Sequence, residues 1–203
     1  MNRRVAALLV ALSALIVVVG LVRLFAGRDR ADTPAPGPTE AGGETPPAAT
    51  ETVEAILWLP SESGRLAPLP AVFQAPPEAQ GRATALLEEL FAVVPEPPLD
   101  VVFPEPVEVA RLLLIEQTAY VDLRPTAGGE PPSTGSTVEL LRVYSIVHTL
   151  VHNLPEVSRV VLLWNGVQRP ALSGHVDTGH PLVPLAALEP LEAAATAQPS
   201  ATP

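Results

Sequence analysis

The sequence contains no cysteine. Disulfide scaffolds, thiol nucleophiles, cysteine-ligated zinc, iron–sulfur sites and a lipid-modified cysteine are therefore excluded. Lysine is absent too: all 12 basic residues are arginine. That excludes Schiff-base chemistry and the lysine of a P-loop. Aromatic residues make up only 4% of the 203 positions, too few for a base-stacking platform. Proline is abundant, with 25 residues.

Charge is unevenly spread. Residues 1–30 hold five Arg and one Asp, or +4, and residues 31–203 hold seven Arg and 21 acids, or −14. An acidic body repels nucleic acid and anionic lipid heads, so no nucleic-acid partner is expected.

Val5–Val22 is a run of 18 residues without a charge. As a helix at ~1.5 Å per residue it covers about 27 Å, close to a hydrocarbon core. Its length exceeds the usual core of a signal peptide and favours an uncleaved signal anchor. A cleaved signal peptide ending near Phe25-Ala26-Gly27 is the competing reading, with Leu24 a poor match to a cleavage site. Arg3 and Arg4 precede the run, and Arg23, Arg28 and Arg30 follow it. Most of the chain lies after it, so the expected arrangement is a single-pass cell-membrane protein with its domain on the extracytoplasmic side.

Residues 1–30 are thus read as a membrane anchor with basic flanks. Residues 31–52 contain only Ala, Asp, Glu, Gly, Pro and Thr, which cannot bury enough apolar surface to offset ordering entropy. They are read as a disordered tether, with a reach of roughly 25 Å as a coil and nearly 70 Å as extended polyproline II. Residues 189–203 are read as a disordered tail. The folded domain is 53–188.

Within it, strands are expected at Val53–Leu59 and Leu66–Phe73. Pro68 and Pro70 would place the second on an edge. Ala83, Leu86, Leu87, Leu90 and Phe91 recur at helical spacing between Pro77 and Val93. Val107–Glu116 and Thr118–Leu123 read as a tight antiparallel pair. A second helix starts at Ser136 or Thr137, with Glu139 three residues after Ser136 at capping-box spacing. Its stripe runs Leu140, Val143, Tyr144, Val147, Leu150, Val151, Leu154, and Pro155 closes it. Val160–Trp164 is a strand, followed by the turn signal Asn165-Gly166. The expected fold class is α+β: a small sheet with two helices on one face.

The run Val143–Leu154, with Thr149-Leu150 near its end, continues through a short turn into a Val-rich strand and Gly166. It resembles the GerMN domain of sporulation and spore-germination proteins. So does the segment from Gly174 through Asp177 to Pro181-Leu182. The strand Ala119–Leu123 and the helix carrying Leu86, Leu87 and Leu90 match as well. The resemblance spans nearly all of residues 53–188. It implies a ring-building-motif-like fold, two helices on a three-stranded sheet. It implies a non-enzymatic domain held outside the cytoplasm by a lipid or a helix, working in sporulation, germination or other envelope complexes. Implied partners are envelope, spore-coat or septal membrane proteins, with the membrane itself contacted through residues 5–22. This chain departs from the sporulation protein in carrying one copy of the domain and a helix anchor.

Several constellations carry possible chemistry. His148 and His152 are four apart on a helix, a spacing that can bind zinc, but Thr149 stands where an HExxH motif has its glutamate. Both are expected about 100° off the buried stripe, partly exposed. His175, Asp177 and His180 could join them, but spacing alone supplies no geometry, and Asp177 is expected to cap backbone amides. Ser145, His148 and Asp122 or Asp177 form a nominal triad without a nucleophile elbow. Glu116 and Asp122 are a nominal acid/base pair, with Asp122 expected to bond loop amides. No catalytic residue, metal or cofactor is assigned. The surface expected to carry function is the acidic face, the Leu66–Phe73 edge and the loop Gly174–Leu182, with Trp58, Trp164, Gly174, His175, Asp177 and His180 as its candidate contacts. Two alternatives stay open. One is a peptidoglycan-binding module, which an exposed Trp58 or Trp164 would support. The other is a metal-dependent hydrolase built on the four His.

Overall fold

The computed structural model describes residues 49–190. The anchor helix expected at 5–22, most of the expected tether and the expected tail beyond 190 lie outside the described residues. Among the described residues no helix is long and apolar enough to cross a membrane.

The element order is β1 (Glu51–Pro60), β2 (Leu66–Ala75), α1 (Ala79–Ala92), β3 (Val107–Ile115), β4 (Thr118–Pro125), α2 (Ser136–Asn153), β5 (Arg159–Trp164) and a short 3-10 turn at Ala186–Leu188. Each strand and helix expected within residues 53–188 is present. The strand expected from Val53 begins two residues earlier, at Glu51, inside the stretch read as tether.

The described residues form two sheets where one was expected. β3, β4 and β5 make a three-stranded sheet in that order, and β1 and β2 make a separate antiparallel ribbon. β3 and β4 are antiparallel across a two-residue turn, Glu116-Gln117. β4 and β5 are parallel, joined by α2 as the crossover that parallel strands require. Period-two alternation puts Ala119, Val121 and Leu123 of β4 on the same side as Val160, Leu162 and Trp164 of β5. Ala83, Leu86, Leu87 and Leu90 of α1 and Val143, Ile146, Val147 and Leu150 of α2 pack on that side. Ala55, Leu57 and Leu59 of β1 complete the same core.

The ribbon stays apart from the sheet because its inner edge is already satisfied. In an antiparallel pair each residue turns both backbone groups to one side. The even-numbered residues of β1 turn away from β2 and meet α2. The Asn153 side chain accepts from Ile56 N–H at 2.8 Å and donates to Ile56 C=O at 2.7 Å. Thr149 Oγ1 accepts from Trp58 N–H at 2.9 Å. Further along, Asp100 N–H donates to Pro60 C=O at 2.9 Å. Two helix side chains and one loop amide thus take the place of a neighbouring strand.

Two further expectations are corrected. Neither Ser136 nor Thr137 caps α2: Gly135 stands at the cap without a side-chain bond, and Glu139 is turned to a different task. The helix is also buried more widely than one stripe, including Ser145, His148 and Thr149. A second cluster explains this: Trp58, Leu66, Leu141 and Leu188 close over it from the ribbon side.

Candidate functional site

His148 sits in the middle of α2 with none of its surface exposed. The expectation of a half-exposed histidine fails because the segment after Pro184 crosses the helix at this point. Leu185 N–H donates to His148 Nε2 at 2.9 Å. Glu189 Oε1 lies 3.6 Å from His148 Nδ1 and 3.4 Å from His152 Nε2. The Trp58 ring packs on both imidazoles, with centroids 5.3 Å and 4.9 Å away. Arg65 reaches the same segment and donates to the carbonyls of Ala187 and Glu189. Glu189, placed in the tail by composition, is therefore part of this cluster.

His148, His152 and Glu189 offer three ligand atoms within 4.8 Å of one another. The hydrogen bonding does not suit a metal. A neutral imidazole carries one proton, and Nε2 accepts from Leu185, so the proton is on Nδ1. The nitrogen facing Glu189 is then a donor, with no lone pair to give an ion. Burial, with nearby His152 adding to it, pushes the His148 pKa down to about 4. The ring is neutral and serves to hold the crossing segment.

The expected companions are elsewhere. Glu139 is 1% exposed. Its carboxylate accepts from the amides of Ser173 at 2.7 Å and His175 at 2.8 Å, and lies 3.0 Å from His175 Nδ1. Burial alone would raise its pKa, but these donors together hold it below the usual value. Asp177 Oδ1 accepts from Gly179 N–H at 2.9 Å, as expected of a loop cap, and Oδ2 is 3.3 Å from His180. Gly174 has a φ of +97°, a left-handed conformation that favours glycine, and turns the loop between Ser173 and His175. The four His thus divide among three separate bonding groups.

The two tryptophans offer no outward face. Trp58 is 8% exposed under the crossing segment, and Trp164 is fully buried in the core. Trp164 Nε1–H donates to Gly129 C=O at 3.0 Å. Both therefore leave the set of candidate contacts. The nominal enzymes lose their geometry as well. Ser145 is fully buried, with its hydroxyl unpartnered. Asp122 Oδ1 accepts from Gly166 N–H at 2.7 Å, the loop bond expected of it. Glu116 is at the β3–β4 turn, about 13 Å along β4 from Asp122, beyond the roughly 5–9.5 Å that separates glycosidase carboxylates.

Sequence reasoning missed Asn153, Thr149, Glu139 and Glu189 as the bonding side chains. A buried-side Asn or Thr at the end of an apolar helix is the only signal that precedes the structure, and it does not say which strand is met.

The family model described as "Sporulation and spore germination" (Germane) matches residues 44–169. No curated protein matches the chain. Among solved structures, the first GerMN domain of the sporulation protein GerM from Bacillus subtilis is similar, with 19% identity and a TM-score of 0.50. That match covers 64% of this chain and 97% of that one. The tandem GerMN domains of the same protein match with 18% identity and a TM-score of 0.47, over 66% of this chain and 46% of that one. At 19% identity the likeness to that first domain speaks for the fold alone.

Proposed function

This chain belongs to the Germane family of sporulation and spore-germination domains, and on that premise we propose that it is a membrane-tethered, extracytoplasmic, non-enzymatic interaction module of a sporulation or cell-envelope complex. One observation carries the non-enzymatic part. The side chains that could do chemistry are bonded to the chain's own backbone: His148 to Leu185, Glu139 to Ser173 and His175, Asp177 to Gly179, Asp122 to Gly166. Each of these four holds a loop in place, which is a structural task. The tether reading is supported by the 18 uncharged residues Val5–Val22 and by the Pro-rich stretch after them. Partners are envelope, spore-coat or septal membrane proteins. With Trp58 and Trp164 buried, the peptidoglycan-binding alternative loses the feature that would have supported it.

The test uses the full chain in its host. It should remain in the membrane fraction after alkaline carbonate extraction, and protease added outside protoplasts should release the domain. Recovery in the soluble fraction, or protection from external protease, would overturn the placement. Saturable pelleting of the chain with isolated peptidoglycan would replace the protein-partner reading with a wall-binding one.

A further inference from the structure

We propose that the open edge of β3 is a docking site for an extended strand of a partner protein, apolar in its middle and basic at its ends. This rests on the reading of the domain as an interaction module and names the surface.

The first argument is the fate of each sheet edge. The inner edge of β1 is taken by Asn153, Thr149 and Asp100. Pairing of Ala55 with Ala71 and Leu57 with Leu69 makes the even residues of β2 face outward. Those residues include Pro68 and Pro70, which have no N–H to offer an incoming strand. Along β5 the outward groups belong to the even residues. Val160 exchanges bonds of 2.8 Å and 2.7 Å with Leu182, and Trp164 bonds to Val167. On β3 the pairing of Ile115 with Thr118 across a two-residue turn directs Ile115, Leu113 and Arg111 to β4. Leu112 and Leu114 therefore turn N–H and C=O away from it. Beyond the bulge between Val109 and Arg111, the Thr126-to-Pro106 bond directs Val107 and Val109 outward as well. Among the described residues no strand pairs with this edge.

Backbone groups at strand spacing specify an extended strand as the occupant. The side chains specify its composition. Leu113 and Ile115 are exposed on the outer face, beside Tyr120 across the ladder. A groove of about 300 Å³ between Phe91 and Ala92 of α1 and Pro106–Val109 lies at the start of the edge. Exposed acids flank both ends, with Glu88 and Glu105 at one, where Glu108 is paired with Arg124 at 3.6 Å, and Glu116 at the other. A second copy of this chain would bring the same acids against them. A strand with arginine or lysine at its ends complements them.

The test mixes the full-length chain in detergent micelles with a synthetic peptide, Arg-Thr-Val-Thr-Val-Thr-Val-Arg. Hydrogen exchange at the amides of Leu112 and Leu114 is expected to slow by about tenfold, with Val72 and Gln74 of β2 unchanged. The same peptide, N-methylated at alternate residues along its pairing side, is expected to lose the effect. Leu114→Pro removes an outward N–H and no bond to β4, so it should abolish protection. The methylated peptide keeps the test valid if that variant does not fold. No protection at millimolar peptide, protection along β2, or equal binding of the methylated peptide would each overturn the proposal. Protection in the chain alone, with sedimentation as a dimer, would assign the edge to a second copy instead. If full-chain crosslinks to envelope proteins survive Leu114→Pro, this edge is wrong and the interaction role stands. If wild type gives no crosslinks, the role itself falls.

Discussion

The β2 and β3 edges face the same hazard and meet it differently. Each ends a sheet, and each turns backbone donors and acceptors away from its only partner. On β2, Pro68 and Pro70 fall at outward positions, so two of its five outward residues have acceptors but no donors. On β3 the run Leu112-Leu113-Leu114-Ile115 contains neither proline nor a charge. Natural sheets blunt such edges unless the edge is used. The contrast separates an edge kept shut from one kept available. Under the proposal above, the interaction surface lies on β3 and not on the expected Leu66–Phe73 edge.

The side chains that close the β1 edge, and those that hold the loops against α2, give the comparison its testable form. The largest effect is expected from acid. His148 is neutral in the fold with its pKa depressed to about 4, whereas an unfolded chain takes up that proton near 6.5. Stability should therefore fall as pH drops from 6.5 towards 4 and level off below, by about 3 kcal/mol. Glu139, also held low, adds a loss of the same sign as pH falls through its folded value. Urea midpoints across that range measure this, and a flat profile would show that His148 is not held neutral. Next, Asn153→Ala removes both bonds to Ile56 and should cost about 2 kcal/mol. Exchange at the Ile56 amide should rise with it if Asn153 stands in for a strand. Thr149→Val leaves the Trp58 amide buried without an acceptor, at about 1.5 kcal/mol in chemical denaturation. The smallest change in stability, a few tenths of a kcal/mol, is expected from Pro68→Ala with Pro70→Ala. That variant should nonetheless gain peptide protection along β2. If it does not, the prolines are not what shuts the edge.

Much of the fold could be read ahead because its signals are local. The i, i+3, i+4 spacing of Ala83, Leu86, Leu87 and Leu90 gave α1. Asn165-Gly166 gave a turn, and both residues adopt positive φ. Pro68 and Pro70 marked an edge. The turn at Glu116-Gln117 is also left-handed, at φ of 47° and 62°, but lacks the glycine that would announce it. What stayed hidden depends on distance along the chain. Asn153 meets Ile56 across 97 positions, and Glu139 meets Ser173 across 34. At Glu139 a local rule pointed to a capping box, and a remote loop with three donors won instead. His148 looked half-exposed because periodicity describes one covered face, while a segment 37 positions away covers another.

The Leu185–His148 bond has a consequence for spectroscopy. It leaves one imidazole proton, on Nδ1, enclosed between an indole ring and a carboxylate. A ring proton so enclosed is expected to exchange slowly with water. The chain thus carries its own reporter: one resonance, present while the segment lies across α2 and gone when it lifts, that needs no label and no knowledge of the partner.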